Sequence, residues 1–325
     1  MKTKKLNSTS STDMVAAANM LNKGGVVAVP TETVYGLAAN AADEDALSKI
    51  FEAKGRPANH PLIVHIADAS HLTHWARDIP PQAYQLAEAF WPGPLTLLLN
   101  KQPHISSIIT GGLDTIGLRN PAHPVMLELL HLTQLAVAAP SANPYKKLSP
   151  TTADQVFETL AGKIDAVLDG GPCEVGIEST ILDLSSEQPT VLRPGPITAS
   201  QIANVLGTPV AVPENHDVAV PGNVEAHYQP SKPMLLLSTE QLKDQLANRS
   251  DGTVCVYYSA ELKDLMTDED EVMSADKVAY AQSLYHTLYQ MDQSAAQCIW
   301  LELPPSTDEW RDVHDRLNRA GSRLI

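Results

Sequence analysis

The stretch Val26-Val27-Ala28-Val29, followed at once by Pro30-Thr31-Glu32-Thr33-Val34-Tyr35-Gly36-Leu37, decides the class of fold. Its first four residues are apolar and mostly β-branched, which is typical of a buried strand. A proline and a run of polar residues then end that strand. Because ligand sites in open α/β sheets gather where strands end, the stretch predicts a sheet with polar, ligand-binding segments at one edge.

A rhythm of helix and strand continues on both sides of this stretch. Gly24-Gly25 stops a helix predicted over residues 13–22, just before the strand. Several later connections are too short for a crossover helix, so the strand directions must be mixed. The pattern therefore predicts an α/β domain with a mixed sheet and flanking helices. Further helices are predicted over 43–53, 81–90, 122–131 and 152–160, and further strands over 62–66, 95–99, 115–118, 135–139, 166–168, 180–184 and 190–192.

The texture of the chain changes after Leu206. Residues 207–233 contain five prolines and little periodicity, and we interpret them as a long linker with a functional role, since structureless segments of that length are uncommon. A second, smaller α/β domain is predicted over 234–325. Residues 1–12 have the composition of a disordered tail, which leaves 13–206 as the larger domain. In the smaller domain, strands are predicted over 234–237, 254–258 and 298–301 and helices over 239–247, 275–291 and 308–319.

Composition and charge exclude several classes of protein. The 325 residues carry 23 basic and 38 acidic side chains, so the formal net charge is −15, and residues 211–325 alone carry 9 basic and 19 acidic ones. A protein that holds nucleic acid by its phosphates needs a basic surface, and the overall field here repels phosphate. No stretch approaches the roughly 18 apolar residues of a membrane-spanning helix. Cys173, Cys255 and Cys298 fit neither a disulfide framework nor a zinc site, so we expect a cytoplasmic protein.

Candidate site residues lie in short polar segments at strand ends. The Walker, dinucleotide-binding, zinc-protease and serine-hydrolase motifs are all missing from the sequence. Arg119 and Arg193 each terminate an apolar strand, where an arginine usually pairs with an anion or a carboxylate. Lys54 and Arg56 close a predicted helix, a position that the helix dipole alone explains. His65 lies inside a strand and, by itself, is most simply a satisfied core histidine.

Taken in order, these segments resemble the threonylcarbamoyl-AMP synthase family, whose catalytic unit is the YrdC-type domain. The resemblance covers about residues 14–206, and His227-Tyr228 in the linker matches the longer members, which carry a Rossmann-like accessory domain. It implies a YrdC-type twisted mixed sheet with flanking helices, followed by a smaller Rossmann-like α/β domain. The matching segments are 30–37, 54–57, 61–66, 91–96, 113–119, 139–143, 169–171, 176–181 and 192–196.

The resemblance also implies a reaction and a set of site residues. The reaction joins L-threonine, bicarbonate and ATP into L-threonylcarbamoyladenylate and pyrophosphate, with Mg²⁺ held by the ATP phosphates and not by protein side chains. Its product serves downstream threonylcarbamoyl transferase machinery that modifies adenosine in tRNA, so we expect tRNA binding by this chain to be weak or indirect. No catalytic base is assigned. The implied ATP-binding residues are Lys54, Arg56, Ala58, Thr115, Ser141, Asn143, Ser149, Arg193, His227 and Tyr228, and the implied threonine-binding residues are Thr31, His65, Arg119, Ala139 and Ser179.

Two other functions stay open at this point. One is a factor that binds double-stranded RNA or tRNA, because YrdC-type domains present a concave basic cavity, although the net charge disfavours it. The other is an enzyme that forms a carbamoyl-adenylate from another carbamoyl source, although such relatives carry zinc-finger-like cysteines that this chain lacks. The linker also departs from the family, since Asn-Val-Glu-Ala at 223–226 replaces two basic residues and an aromatic one. Oligomeric state, the role of the second domain and the choice between bicarbonate and CO₂ are open as well.

Overall fold

The computed structural model describes residues 2–213, 216, 218–222 and 227–324, and the chain divides into two compact units. Within those described ranges, no helix is long and apolar enough to cross a membrane. Unit 1 comprises Met1–Tyr145, Ser149–Glu174 and Glu178–Asn223, and unit 2 comprises Lys146–Leu148, Val175–Ile177 and Val224–Ile325.

The helices of unit 1 begin and end where the local sequence dictates. The clearest case is the second helix, where the Asp43 carboxylate accepts from the backbone N–H groups of Asp45 and Ala46 at 3.0 and 3.1 Å. Gly55 ends the same helix with φ 62°, a left-handed conformation that glycine adopts most readily. Lys54 is therefore the last helical residue. The helices are α1 (Ser11–Asn22), α2 (Glu44–Lys54), α3 (Leu72–Trp75), α4 (Pro81–Phe90), α5 (Ser107–Thr110), α6 (Pro124–Thr133), α7 (Ala153–Leu160) and α8 (Ala199–Leu206).

The strands of unit 1 form one mixed sheet in the order β1-β8-β2-β3-β7-β4-β6-β5-β9-β10. Parallel pairs such as β4 with β6 alternate with antiparallel pairs such as β5 with β6, so the predicted mixture of strand directions is confirmed. The strands are β1 (Lys4–Asn7), β2 (Val27–Val29), β3 (Gly36–Asn40), β4 (Ile63–His65), β5 (Leu95–Asn100), β6 (Thr115–Arg119), β7 (Val137–Ala138), β8 (Ala166–Asp169), β9 (Thr180–Asp183) and β10 (Thr190–Arg193).

Both faces of this sheet are buried. Val27 and Val29 point to one face, where they join an apolar cluster with residues of α1 and α6. Val26 and Ala28 belong to a second, larger cluster that includes residues of α2 and α7. Burying both faces requires apolar residues at successive positions, which is why this strand reads as a continuous apolar run.

The start of the chain departs from the sequence prediction. Residues 1–12 were expected to form a disordered tail, but Lys4–Asn7 pairs in parallel with β8 as an edge strand, so the prediction is wrong there. Leu6 is buried against the core, and the Thr3 hydroxyl donates to the carbonyl of Ile164 at 2.6 Å. A single buried leucine and ladder hydrogen bonds suffice for an edge strand, whereas its exposed lysines gave the sequence a polar appearance.

The first part of the predicted linker packs on unit 1. The backbone N–H of Val191 donates to the carbonyl of Ala211 at 2.8 Å. Val220 is 5% exposed and forms a small apolar cluster with Ile63, Leu98, Ile181 and Leu192. Pro221, whose carbonyl accepts from Nη1 of Arg193, therefore lies in backbone held against the sheet.

Unit 2 contains a smaller sheet in which the observed pairs are all parallel, in the order β13-β12-β14-β11-β15. The short segment Val175–Ile177 belongs to this unit, and Gly176 has φ 82°. A Cβ atom at Gly176 would collide with the backbone of Gln282, so glycine is required there. The elements are β11 (Met234–Leu237), α9 (Thr239–Leu246), β12 (Thr253–Tyr257), β13 (Glu271–Val272), α10 (Lys277–Gln293), β14 (Cys298–Glu302), α11 (Arg311–Ala320) and β15 (Ser322–Arg323).

Candidate active site

The buried amine of Lys54 contacts two other predicted ATP-binding residues. Lys54 ends α2 and is only 4% exposed. Its Nζ donates to the backbone carbonyls of Ser141 and Asn143, the latter at 2.6 Å, and lies 3.4 Å from Oδ1 of Asn143. These partners are 87 and 89 residues away in sequence, so the fold brings together segments that the sequence could only propose as neighbours.

Two desolvated cations lie side by side at this point. Burial lowers the pKa of Lys54 well below its ordinary value of 10.5, and the charge of Arg56 lowers it further, while the charge of Glu178 opposes the shift. Arg56 is itself buried, and its Nη2 donates to the carbonyl of Pro61 at 2.8 Å. A pair that merely complemented a helix dipole would remain solvated. The burial of Lys54 and Arg56 favours an anion-binding role instead.

The other predicted ATP-binding residues of unit 1 differ in exposure. Ser149 is buried, and its hydroxyl donates to Oε1 of Glu178 at 2.6 Å. Ala58 is exposed, in the turn that follows the end of α2. Thr115 is half-buried at the start of β6, where it lines a narrow slot with Thr96 and Val220.

Arg119 is the last residue of β6 and is held from three sides. Its Nε donates to the carbonyl of Gly93 at 3.3 Å, and Nη1 donates to the hydroxyl of Thr33 at 3.1 Å. Nη2 lies 2.5 Å from Oε1 of Glu32, an ion pair in which both side chains are almost fully buried. The sequence prediction of an arginine drawn toward a carboxylate is met by Glu32.

His65 lies directly beside Arg119. The strands β4 and β6 are parallel neighbours, and their register pairs His65 with Arg119. Burial lowers the pKa of His65 from 6.5 to about 3, with the charge of Arg119 as the second cause. The imidazole is therefore neutral at physiological pH and a weak base. Its Nδ1 has no hydrogen-bond partner among the residues that the structure describes.

Thr31 and Ala139 complete the predicted threonine side. The Thr31 hydroxyl donates to the carbonyl of Val34 at 2.6 Å and lies 2.9 Å from the hydroxyl of Thr33. Since Thr33 also contacts Arg119, these side chains form one connected chain. Ala139 follows β7 and is nearly buried, and its N–H donates to the carbonyl of Ile63 at 3.2 Å.

Ser179 and Arg193 join residues that the resemblance assigned to different substrates. Arg193 donates from Nε to the carbonyl of Ser179 at 2.9 Å and from Nη2 to its hydroxyl at 3.0 Å. The same hydroxyl lies 2.8 Å from the hydroxyl of Thr96. Nη1 of Arg193 donates to the carbonyl of Pro221, in the linker, at 3.0 Å. The predicted ATP and threonine sets therefore meet within unit 1.

His227 and Tyr228 lie in unit 2 and are buried there. The Tyr228 ring lies 5.7 Å from the ring of Tyr285 and 5.6 Å from the guanidinium of Arg316. Tyr228 has φ 59°, an unusual conformation for a bulky side chain. Their assignment to ATP stays a prediction, and the unusual linker residues 223–226 lie outside the described part of the chain.

Two acidic residues of the site were missed by the sequence reasoning. Glu32 contacts Arg119, and Glu178 accepts from Ser149. Both lie within segments that the sequence singled out, 30–37 and 176–181, and each is the only acid in a segment next to a buried strand. That placement was the available signal, because a carboxylate rarely lies among buried residues without a partner.

Comparison with known proteins extends this picture to the whole chain. A model of the family of Sua5, YciO and YrdC, described as "Telomere recombination", matches residues 19–195. A model described as "Threonylcarbamoyl-AMP synthase, C-terminal domain" matches residues 197–322. The two models together cover nearly the full sequence, and each falls largely within one of the two predicted domains.

Individual relatives agree with the family models. The chain is 40% identical to the threonylcarbamoyl-AMP synthase of Pyrococcus abyssi over 95% of this chain and 94% of the relative. It is 40% identical to that of Bacillus subtilis over 98% and 96%. The crystal structure of P. abyssi Sua5 complexed with L-threonine matches this chain with a TM-score of 0.88 and 35% identity. The match spans 99% of this chain and 100% of the P. abyssi chain. The predicted fold class and family are confirmed, and the chain belongs to the threonylcarbamoyl-AMP synthase family.

Proposed function

We propose that this chain synthesises L-threonylcarbamoyladenylate from L-threonine, bicarbonate and ATP and releases pyrophosphate. Synthases of that name match it over nearly its whole length. The observation that carries the proposal is the pair of hydrogen bonds between Arg193 and Ser179, because it joins the groups assigned to the nucleotide with those assigned to the amino acid. A reaction between two bound substrates requires such a meeting point.

The reaction has two bond-forming steps. The neutral amine of threonine attacks bicarbonate, which gives the carbamate and water. A carbamate oxygen then attacks the α-phosphorus of ATP in line, and pyrophosphate departs. Negative charge grows on the phosphoryl oxygens during the second step, so fixed cations at that position stabilise the transition state. Lys54 and Arg56 are the proposed cations, since both are desolvated and therefore act in a low dielectric.

Recognition of threonine is assigned to the side chains around Arg119. The guanidinium binds the substrate carboxylate, and its geometry is fixed by Thr33 and Gly93. Thr31, His65 and Ser179 provide polar atoms for the substrate hydroxyl. A site that hydrogen-bonds this hydroxyl rejects valine strongly, whereas serine differs by one methyl group and is rejected more weakly.

Mg²⁺ is proposed to arrive with ATP. The described residues contain no cluster of three His, Cys, Asp or Glu side chains that could hold a metal ion. In nucleotide sites Mg²⁺ is usually held by phosphate oxygens and water. An ion bound to the triphosphate would neutralise part of its charge. Lys54 and Arg56 would hold the triphosphate in position.

The product is proposed to feed the transfer of the threonylcarbamoyl group to adenosine in tRNA by separate machinery. Direct binding of tRNA is expected to be weak, because the chain carries a formal charge of −15. A cytoplasmic location is proposed as well, since ATP and tRNA are both available there.

The test is an incubation of the full chain with ATP, Mg²⁺, bicarbonate and one amino acid at a time, while pyrophosphate is measured. We expect release with threonine, much weaker release with serine and almost none with valine. A second assay measures tRNA affinity against salt concentration. Tight, steeply salt-dependent binding together with no threonine-dependent pyrophosphate would favour the RNA-binding alternative instead.

A further inference from the structure

Glu32 is a buried carboxylate whose hydrogen-bonding capacity is unused. It is 5% exposed and lies in the connection between β2 and β3. Its Oε1 is 2.5 Å from Nη2 of Arg119, but the two groups are not aligned for a hydrogen bond. Neither oxygen of Glu32 has a hydrogen-bond partner among the described residues. The close ion pair therefore leaves the carboxylate without the donors that buried carboxylates need.

The neighbours of Glu32 do not supply those donors. Arg119 directs Nε to Gly93 and Nη1 to Thr33, so two edges of its guanidinium are already engaged. His123 is close enough for the charge of Glu32 to act on it, but burial lowers its pKa below the ordinary 6.5, so it supplies no counter-charge at pH 7, and it makes no hydrogen bond to Glu32. The Cys173 thiol is also near, and burial raises its pKa, which keeps it uncharged.

We propose that Glu32 binds the α-ammonium group of the amino-acid substrate while Arg119 binds its carboxylate. The inference rests on the proposed function and names the group that recognises the other end of the zwitterion. An ammonium group brings three N–H donors and a positive charge, which are the two things that Glu32 lacks. A carboxylate and a guanidinium in contact present both signs of charge that an α-amino acid carries.

The contact is compatible with the chemistry. The ammonium first releases one proton to the solvent, and the neutral amine then attacks bicarbonate to give the carbamate and water. The carbamate nitrogen keeps one N–H group, which donates to the same carboxylate. Glu32 thus orients the nitrogen before and after the carbon–nitrogen bond forms. The site should accordingly prefer an α-amino acid over the matching 2-hydroxy acid, whose hydroxyl brings one donor and no charge.

The experiment measures binding to the full chain by calorimetry without ATP. The two ligands are L-threonine and 2,3-dihydroxybutanoate of the same configuration, in which a hydroxyl replaces the α-ammonium group. Wild-type protein should bind threonine more tightly. Glu32→Gln should weaken threonine binding by roughly 100-fold, as expected for a lost contact to a charged group, and should change the affinity for the hydroxy acid by less than about 3-fold.

Thr33→Val is the matched control. It removes the hydroxyl that accepts from Nη1 of Arg119 at 3.1 Å but keeps the charge of Glu32, so it should weaken both ligands by the same factor. If Glu32→Gln also weakens both ligands equally, or leaves threonine affinity unchanged, Glu32 does not bind the ammonium and the inference is overturned.

Folding is checked by the affinity of each variant for ATP, which should be unchanged. If Glu32→Gln does not fold, Glu32→Asp decides the question: its shorter carboxylate should weaken threonine binding more than binding of the hydroxy acid, and equal weakening of both ligands would overturn the inference. Failure of the proposed function looks different, since wild-type protein would then neither bind threonine nor release pyrophosphate with it.

Discussion

Two buried glutamates, one in each unit, differ in the hydrogen-bond donors around them. Glu302 of unit 2 is completely buried at the end of β14 and accepts from the Thr239 hydroxyl at 2.7 Å and from the backbone N–H groups of Tyr258 and Ser259 at 2.8 and 3.0 Å. The Ser259 hydroxyl donates to it as well. Glu32 of unit 1 is nearly as deeply buried but has no hydrogen-bond donor among the described residues.

The difference separates a structural carboxylate from one reserved for a ligand. Leaving a buried polar group unpaired costs about 1 to 3 kcal/mol, and more for a charge, so a fold keeps such a group only where something else completes it. In unit 1, Nδ1 of His65 and Nη2 of Arg119 also have no hydrogen-bond partner among the described residues. The strand register pairs these two residues, and Nη2 lies 2.5 Å from Oε1 of Glu32. In unit 2 the Tyr280 hydroxyl is an exception to the rule of satisfied groups.

Replacing Lys54 should have the largest effect on activity. A small effect would undermine the contrast between a unit 1 that binds substrates and a unit 2 whose buried carboxylate is structural. Lys54→Met keeps the aliphatic stem in its buried position but removes the charge, so pyrophosphate release should fall by about 100- to 1,000-fold. Thermal unfolding would be followed in parallel to show that the variant is folded. Undiminished turnover in a folded variant would remove Lys54 from the mechanism and weaken the assignment of unit 1 to the chemistry.

Arg119→Lys should have the next largest effect. A lysine has no planar fork and cannot contact Gly93, Thr33 and Glu32 while it binds a carboxylate. The KM for threonine should rise by roughly 30- to 100-fold, whereas the KM for ATP should change little. Steady-state pyrophosphate release with each substrate varied in turn makes the measurement. An unaltered threonine dependence would refute the carboxylate contact.

Glu302→Gln tests the other half of the comparison. The amide nitrogen would face donors that Glu302 now accepts from, so unit 2 should lose about 2 kcal/mol of stability. Urea unfolding, monitored by tryptophan fluorescence, measures this loss of stability. The KM for threonine, measured from turnover at 25 °C in the same variant, should be unchanged. A change in threonine KM without a loss of stability would show that the second carboxylate is also a ligand group.

The fold was predictable from the sequence wherever apolar runs were continuous. Strand β2 and helix α2 lie within one or two residues of their predicted bounds. The edge strand Lys4–Asn7 was not predictable in this way, because only Leu6 on it is buried and the rest of its stability comes from backbone pairing with β8. Periodicity detects burial, and it is insensitive to a strand that is mostly exposed.

The site was predictable as a set of segments but not as a set of contacts. The resemblance named Ser179 and Arg193 for different substrates, and their direct hydrogen bonds form where β9 and β10 pair with an irregular register, which no local pattern encodes. Glu32 was not selected as a site residue because a sequence motif does not show which of its residues are buried and lack hydrogen-bond donors. The missing information was its depth of burial and its lack of donors, both of which are tertiary properties.

The smallest expected effect concerns pH and separates the buried His65 from an ordinary histidine. Its folded pKa is about 3, against 6.5 in the unfolded chain, so between these values the unfolded state binds a proton that the folded state excludes. His65 therefore costs stability as the pH falls below 6.5, by about 1 kcal/mol per pH unit.

Urea unfolding of wild-type protein and of His65→Gln at pH 7, 6 and 5 isolates this slope, because other groups titrate equally in both. Wild-type protein should lose more stability than the variant from pH 6 to pH 5. Equal losses would mean that His65 is protonated in the folded state at an ordinary pH, and its neutral role beside Arg119 would then be wrong.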